Sequence, residues 1–395
     1  MPLRPAALSL GLALALAAPA AAQQPVSAFD LTAIPHSAFE IGTAGAGSFA
    51  PTEVPAAITM NPALLATAAR RPAVRATGAV TPEWLGQSVV LGTSAASIGV
   101  SIPAGPGSLA LAVGAVRTTF DFGQIALTSP TGEVGTYRGL EESIGGGVAV
   151  GWSGPVAVDL GAALYGRTDR LPPAEVGAAE APRAEAVSLD AGGLVTVDAV
   201  ALAGLRGPDT DLTPAFELSI GAARRHDERS FEIVERPADV PEPEFGGLLR
   251  ETAAGYSARV GLDKRVGRAR FRLVEAEAMV EGESLDGFPA ARAVLAGAAG
   301  DRSAGRRGVR LTLLDTVTLR AGRNQFAKGA GATDGVGAGV SVDGLMRAAG
   351  ALGGRPRLYA MAEILTLRLD VAHYAVDGVE SLRGTTFGVT AGWRP

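Results

Sequence analysis

The residues that could carry chemistry in this chain are few. Cysteine is absent and the only histidines are His36, His226 and His373. They fall in a leader, an acidic polar stretch and a strand end, so no two share a ligand spacing. His226-Asp227-Glu228 is contiguous but lacks partners at a zinc-binding interval. There is no G-x-S-x-G elbow or Walker loop. The glycines at 42–47 and 145–147 lack the strand, helix and distant acid of a dinucleotide site. The sequence therefore predicts no enzyme, no cofactor and no metal. Charge placement is more informative. If Leu314, Asp315 and Thr316 form a turn, Leu313 faces Val317, Thr312 faces Thr318 and Arg310 faces Arg320. Two facing arginines repel, so an acid is expected beside them, from Glu275, Glu277 or Asp370. Arg368 completes this expected cluster. The alternative is that water in an enclosed interior screens both charges.

The elements that would hold these charges are strands. From Leu365, the odd positions Leu365, Leu367, Leu369 and Val371 are apolar, and Thr366, Arg368 and Asp370 lie between them. Thr385, Phe387, Val389, Ala391 and Trp393 then alternate with Thr386, Gly388, Thr390 and Gly392. Side chains alternate across a strand, so each segment has one apolar and one small or polar face. A tilted strand of roughly 9 to 11 residues crosses a bilayer's hydrocarbon, with aromatics at its rim. The same period recurs at 75–80, 88–102, 108–115, 144–152 and 156–165. It returns at 187–205 with a break at Gly192-Gly193, then at 216–222, 256–262, 271–280 and 309–322. Residues 171–183, 224–250 and 282–308 read as long connections, the last with a short helix within 290–299. The fold class is thus all-β, a single transmembrane antiparallel β-barrel of some 12 to 16 strands. Closure pairs every backbone group that would otherwise face lipid.

Composition fits that class. In 395 residues there are 53 Gly and 25 Pro, with 47% hydrophobic and 19% charged residues, a mix suited to many strands and turns. Aromatics, at 5%, are sparse for two interfacial girdles. The net charge of -5 gives no footprint for nucleic acid. Arg4, the apolar run 6–18 and Ala20-Ala21-Ala22 predict a signal peptide, residues 1–22, cleaved before Gln23. Beyond it, no run approaches the roughly 18 apolar residues of a membrane helix. A leader and a non-alternating segment then occupy 23–71, and the barrel occupies 72–395.

Within 39–69, Gly42, Gly45 and Gly47 permit tight bends. Asn61 can cap a helix that starts at Pro62. By itself this is a turn and a capped helix. The order Gly45-Ala46-Gly47, then Asn61-Pro62-Ala63-Leu64-Leu65, then alternating strands, resembles the FadL-like long-chain fatty-acid transporter superfamily of outer membranes. It looks closer still to the PorV/PorQ-type branch. The resemblance extends thinly over 317–322, 369–374 and the closing TTFGVTAGW. It departs at Leu64, where glycine is usual, and at the Trp393-Arg394-Pro395 end. It implies 14 strands and a lumenal plug, or hatch, with Gly45, Gly47, Asn61, Pro62, Ala63 and Leu64 as hatch or ligand residues. The implied function is passage of small hydrophobic compounds across the cell outer membrane. The alternatives are a docking barrel of a protein secretion system, a non-transport surface protein such as an adhesin, or a soluble β-sandwich, since alternation alone does not say which face is buried. Implied partners are outer-membrane lipid, the barrel assembly machinery, and hydrophobic small molecules or secretion-system proteins.

Overall fold

The period-two segments become strands of one closed sheet. The computed structural model describes residues 37–52, 54–71, 73–84, 89–128, 134–170, 183–205, 211–234, 248, 250–266, 269–285, 287–300, 303–326, 331–377 and 379–394. The expected signal peptide, His36 and nearly all of the 171–183 connection lie outside them. In chain order the strands are β1 (Ala73–Trp84), β2 (Val89–Ala104), β3 (Gly107–Thr128), β4 (Val134–Ser153), β5 (Val156–Arg170), β6 (Arg183–Asp198) and β7 (Leu212–Val234). They continue as β8 (Glu251–Val266), β9 (Ala269–Ser284), β10 (Ser303–Leu313), β11 (Val317–Gln325), β12 (Ala332–Ser341), β13 (Leu365–Val376) and β14 (Val379–Trp393). Each strand pairs antiparallel with its chain neighbours. β14 closes on β1 through Val74↔Trp393 to Val80↔Phe387, so the barrel has 14 strands and no free edge.

Alternation decides which face is which. Leu365, Leu367, Leu369 and Val371 point outward and are exposed, as are Phe387, Val389 and Trp393. Thr386 and Thr390 point inward and are buried. The same outward register gives Ile98 and Val100 on β2, Leu111 and Val113 on β3, Val148 and Val150 on β4 and Leu160 and Leu164 on β5, all exposed. A continuous apolar belt outside a closed sheet is the surface of a barrel that sits in a bilayer. Trp152 and Trp393 stand at one edge of it. Both chain ends of the sheet and the tight turns at Gly105, Gly154 and Asp315 share that edge. In outer-membrane barrels the short turns are periplasmic and the long connections external, and the two ends are labelled so here.

Helices occupy three places. Inside the barrel lie α1 (Ala38–Gly42), a 3-10 turn (Pro55–Thr59) and α2 (Leu64–Ala69). At the periplasmic end are α3 (Ala199–Leu202), and the pair α5 (Val342–Leu352) and α6 (Pro356–Ile364) between β12 and β13. At the external end, α4 (Ala291–Ala296) joins β9 to β10, inside the span where a short helix was expected. The α5–α6 pair was not foreseen. Ser341 caps α5 by accepting from Gly344 N at 2.9 Å, and Arg347 binds Asp343 at 3.0 Å and the Ala362 carbonyl at 3.3 Å. Arg347 also reaches Asp315 in the β10–β11 turn at 3.7 Å. Burial pushes the Asp315 carboxyl up against the pull of Arg347, Arg272 and Arg71. Arg71 is where the lumenal chain leaves for β1, so the pair lies by that exit.

Several sequence expectations are corrected: 199–202, read as strand, is helix α3, and 303–308, read as connection, belongs to β10. β6 runs through Gly192-Gly193 without a break, because Gly192 faces inward and an added Cβ would fall 2.0 Å from Asn61 Oδ1. The stretch 224–234 is strand and not loop, the upper part of β7, paired with β6 as far as Val234↔Arg183. Above the belt both faces of a strand meet polar surroundings, so alternation fades while backbone pairing continues.

Candidate functional site

Residues 37–70 fill the barrel, and nearly every one described is buried. What seats them is glycine on the inner wall. An added Cβ at Gly99 would fall 2.5 Å from the Ala69 Cβ, at Gly114 2.9 Å from Leu65, at Gly147 2.7 Å from Ile58 and at Gly161 2.4 Å from the Pro62 carbonyl carbon. Across the lumen, Gly221 and Gly255 face Phe49, Gly322 faces the Thr43 carbonyl, Gly335 that of Ile41, and Gly388 faces Ala38. These strands admit the segment only because no side chain stands in the way. Much of the glycine content thus serves close approach between segment and wall.

The two sides of this seat differ in chemistry. Toward β2–β5, Ile58, Leu65, Ala66 and Ala69 pack with Ala95, Ala110, Ala112, Val116, Ala149 and Ala163. One polar anchor closes the periplasmic end, where Thr67 donates to Asp159 at 2.8 Å and Arg70 at 2.5 Å. Toward β7–β13 the wall is charged. Arg310 lies 3.3 Å from Glu275 and 2.6 Å from Glu277, and Arg320 pairs with Asp370, which also accepts from Arg368 at 3.0 Å. Arg320 additionally donates to the Ala38 carbonyl at 3.1 Å, so this cluster holds the start of the segment.

The expected pairing is therefore observed. Arg310 faces Arg320, Thr312 faces Thr318 and Leu313 faces Val317. Each of the three proposed acids contacts one of the two arginines. The six residues form two groups and not one, Glu275-Glu277-Arg310 and Arg320-Arg368-Asp370, since different acids neutralise the two arginines.

The segment residues named from the sequence are all inside the barrel. Asn61 Oδ1 accepts from Ala63 N at 3.1 Å and its amide donates to the Ser48 carbonyl at 3.0 Å, so it ties two parts of the segment together. Pro62, Ala63 and Leu64 follow in the turn into α2, with the Pro62 and Ala63 backbone against Gly161. Gly45 takes φ +79° against Arg306, and Gly47 packs on Phe39 and Met60. They make packing contacts with one another and with the inner wall.

Two clusters escaped the sequence reading. Glu281 and Glu283 continue the inward register of Glu275 and Glu277, and meet Arg306 at 3.0 and 2.8 Å. Ser48 N donates to Glu281 at 3.3 Å, and Arg225 joins the group through Glu283 and Glu251. The period alone could have found the two glutamates, whereas Arg225 fell in the assumed loop. The second cluster is built around His226, which the sequence placed in the polar connection 224–250. It sits at φ +58° beside a bulge, buried, with Nδ1 2.7 Å from an Arg167 nitrogen. Arginine only donates, so Nδ1 accepts. With Thr59, Glu141, Tyr165 and Asp190, the pair lines part of a cavity of about 20 Å³, room for one water. No group of three metal-ligating side chains occurs among the described residues.

A larger hollow, about 690 Å³, lies on the outer face of β2–β5, lined by residues including Ile98, Leu111, Val113, Val148, Leu160 and Ala162. It backs directly onto the apolar seat of α2.

No family model and no curated protein matches this chain. Among solved structures it is similar to a FadL homologue of Pseudomonas aeruginosa, at 12% identity over 91% of this chain and 99% of that one, with a TM-score of 0.36. It is also similar to the toluene transporter TodX of Pseudomonas putida, at 10% identity over 90% and 96%, TM-score 0.37. The β domain of the Bordetella autotransporter BrkA gives 11% identity over 82% and 100%, TM-score 0.37. All three are barrels, and the architecture of this chain stands on its own pairing: 14 antiparallel strands closed around an internal segment.

Proposed function

We propose that the protein is an outer-membrane barrel in which residues 37–70 act as a hatch, and that small apolar compounds pass when the hatch shifts on its β2–β5 side. One observation carries the reading: the apolar seat of α2 and the apolar outer hollow lie back to back across a single strand layer. A water-filled pore would have a polar inner wall all the way round. Here the charges that anchor the start of the hatch lie on β9–β13, and the path for an apolar solute is the apolar stretch of β2–β5 between Asp159 at the periplasmic end and the Arg167–His226 cluster at the external end.

The chain has no cysteine, which allows a clean lock. On the β2–β5 side, Cβ atoms at Ala66 and Gly151 would stand 3.0 Å apart, a few tenths of an ångström inside the roughly 3.5 to 4.5 Å span of a disulfide. In liposomes loaded with the barrel, uptake of a small aromatic hydrocarbon is expected for the full chain and for the reduced Ala66→Cys/Gly151→Cys pair, and is expected to fall several-fold on oxidation. Equal uptake in both redox states would contradict the hatch. A second reading is a PorV-type docking barrel, favoured by the close seating on glycine and the apolar side chains that α5–α6 exposes at the periplasmic end, Leu345, Leu352 and Met361. Removal of 39–69 separates the two. The first reading expects ion conductance in a planar bilayer, and a silent, folded barrel favours the second.

A further inference from the structure

The external helix α4 lies outside the barrel wall. Gly282 and Gly305 both point outward. A Cβ at Gly282 would fall 2.7 Å from Val294 N, and one at Gly305 2.5 Å from the Gly297 carbonyl carbon. Ala293 is fully buried against the wall, and Tyr256, outward on β8, donates to the Leu295 carbonyl at 3.0 Å. Gly297 ends the helix at φ +57°. The helix is thus fastened flat to the lipid side of β8–β10, and its other side is exposed: Arg292 and Leu295, with Phe288 just before it. Phe288 is 70% and Leu295 67% exposed.

Its height on the wall is set by β10. Leu313, Leu311 and Val309 are successive outward belt residues, and Arg307 is the next outward position, its stem beside Gly297. Arg307 is the first charged outward position external to that belt on β10, level with Tyr256 and so with the C-terminal end of α4. Other outward arginines at this rim stand beside carboxylates: Arg117 with Glu142 at 2.5 Å, Arg183 with Glu185 at 2.5 Å, Arg224 with Asp227 at 2.8 Å and Arg323 with Asp334 at 3.2 Å. Arg307 and Arg292 have no carboxylate partner among the described residues.

We infer that α4 and Arg307 form a binding site for a phosphate-bearing lipid of the external leaflet, with Arg292 and Arg307 on the phosphate and Leu295 and Phe288 among its acyl chains. Two facts choose this occupant. The patch is continuous with the lipid-facing belt, and its two guanidinium groups, which have no carboxylate partner among the described residues, match a phosphate, which arginine binds through paired donors. An interfacial helix with apolar side chains beside cations gains from burial in the acyl boundary and from anionic headgroups together.

The test uses the full chain in zwitterionic detergent and native mass spectrometry, counting lipid retained per barrel. The probes are a bisphosphorylated lipid A-type glycolipid, its dephosphorylated form and inorganic phosphate. The wild type is expected to retain the phosphorylated glycolipid at least tenfold better than the dephosphorylated one. Arg292→Gln/Arg307→Gln is expected to lose that preference while keeping heat-modifiable gel mobility. Equal retention by the double variant overturns the site, as does equal retention of the dephosphorylated lipid. Displacement of the lipid by a tenfold excess of inorganic phosphate would mark a free-phosphate site and also overturns it. Should the double variant not fold, Arg292→Gln alone, exposed on the helix, carries the same comparison with an expected loss of several-fold. The inference rests on the membrane-barrel reading, and the two fail differently: a wild type without heat-modifiable mobility indicts the barrel, whereas a folded barrel without lipid preference indicts only α4.

Discussion

At the scale of single residues, glycine carries the most structural information and is the hardest to read. Gly161 and Gly78 look alike in sequence, yet a Cβ at Gly161 meets the backbone of the internal segment at 2.4 Å and one at Gly78 meets nothing within 4 Å. Gly161→Ala is therefore expected to destabilise the barrel by about 1 to 3 kcal/mol, as overpacking does, and Gly78→Ala by less than about 0.5 kcal/mol. Urea unfolding midpoints in detergent check both. The β10–β11 turn gives a gain instead. Leu314 sits at φ +53°, a region that costs a residue with a Cβ on the order of 1 kcal/mol, so Leu314→Gly is expected to raise the midpoint. The paired arginines were legible because a three-residue turn fixes register and register fixes partners. Arg225 and His226 were not, since nothing in a polar run says which side chains turn inward.

Among the elements, what was legible follows the membrane. Strands inside the belt separate apolar from polar faces, and β4, β5, β13 and β14 could be read residue by residue. Their external extensions, such as 224–234 of β7, are polar on both faces and read as loop. An arginine at Val148, outward on β4, should cost about 2 to 4 kcal/mol near mid-membrane, a loss that the same unfolding assay resolves. The α5–α6 pair was missed although Ser341 is a cap and Leu345, Ala349 and Leu352 share one exposed helical face. A stretch between two barrel strands reads first as a turn. Its fold hangs on Arg347, which binds Asp343, the Ala362 carbonyl and Glu363 at 3.4 Å. Arg347→Ala is expected to open 342–364 to limited proteolysis at least tenfold faster with heat-modifiable mobility unchanged. An unaltered cleavage rate would place the hold elsewhere.

The whole molecule is governed by a reversal of the usual order: apolar outside, charge and a folded segment inside. Strand number followed from the family resemblance and the closed sheet has it, while the segment's path over the inner glycines needed coordinates, because each contact joins residues far apart in sequence. The claim on which both the proposed hatch and the proposed α4 lipid site depend is the facing of the strands. β13 tests it most directly, with single cysteines placed in a cysteine-free chain at Leu367, Leu369, Thr366 and Arg368, labelled with an environment-sensitive fluorophore in bilayers whose acyl chains carry bromine. The account predicts strong quenching at 367 and 369 and little at 366 and 368. Quenching without alternation, or alternation in the opposite sense, would contradict it.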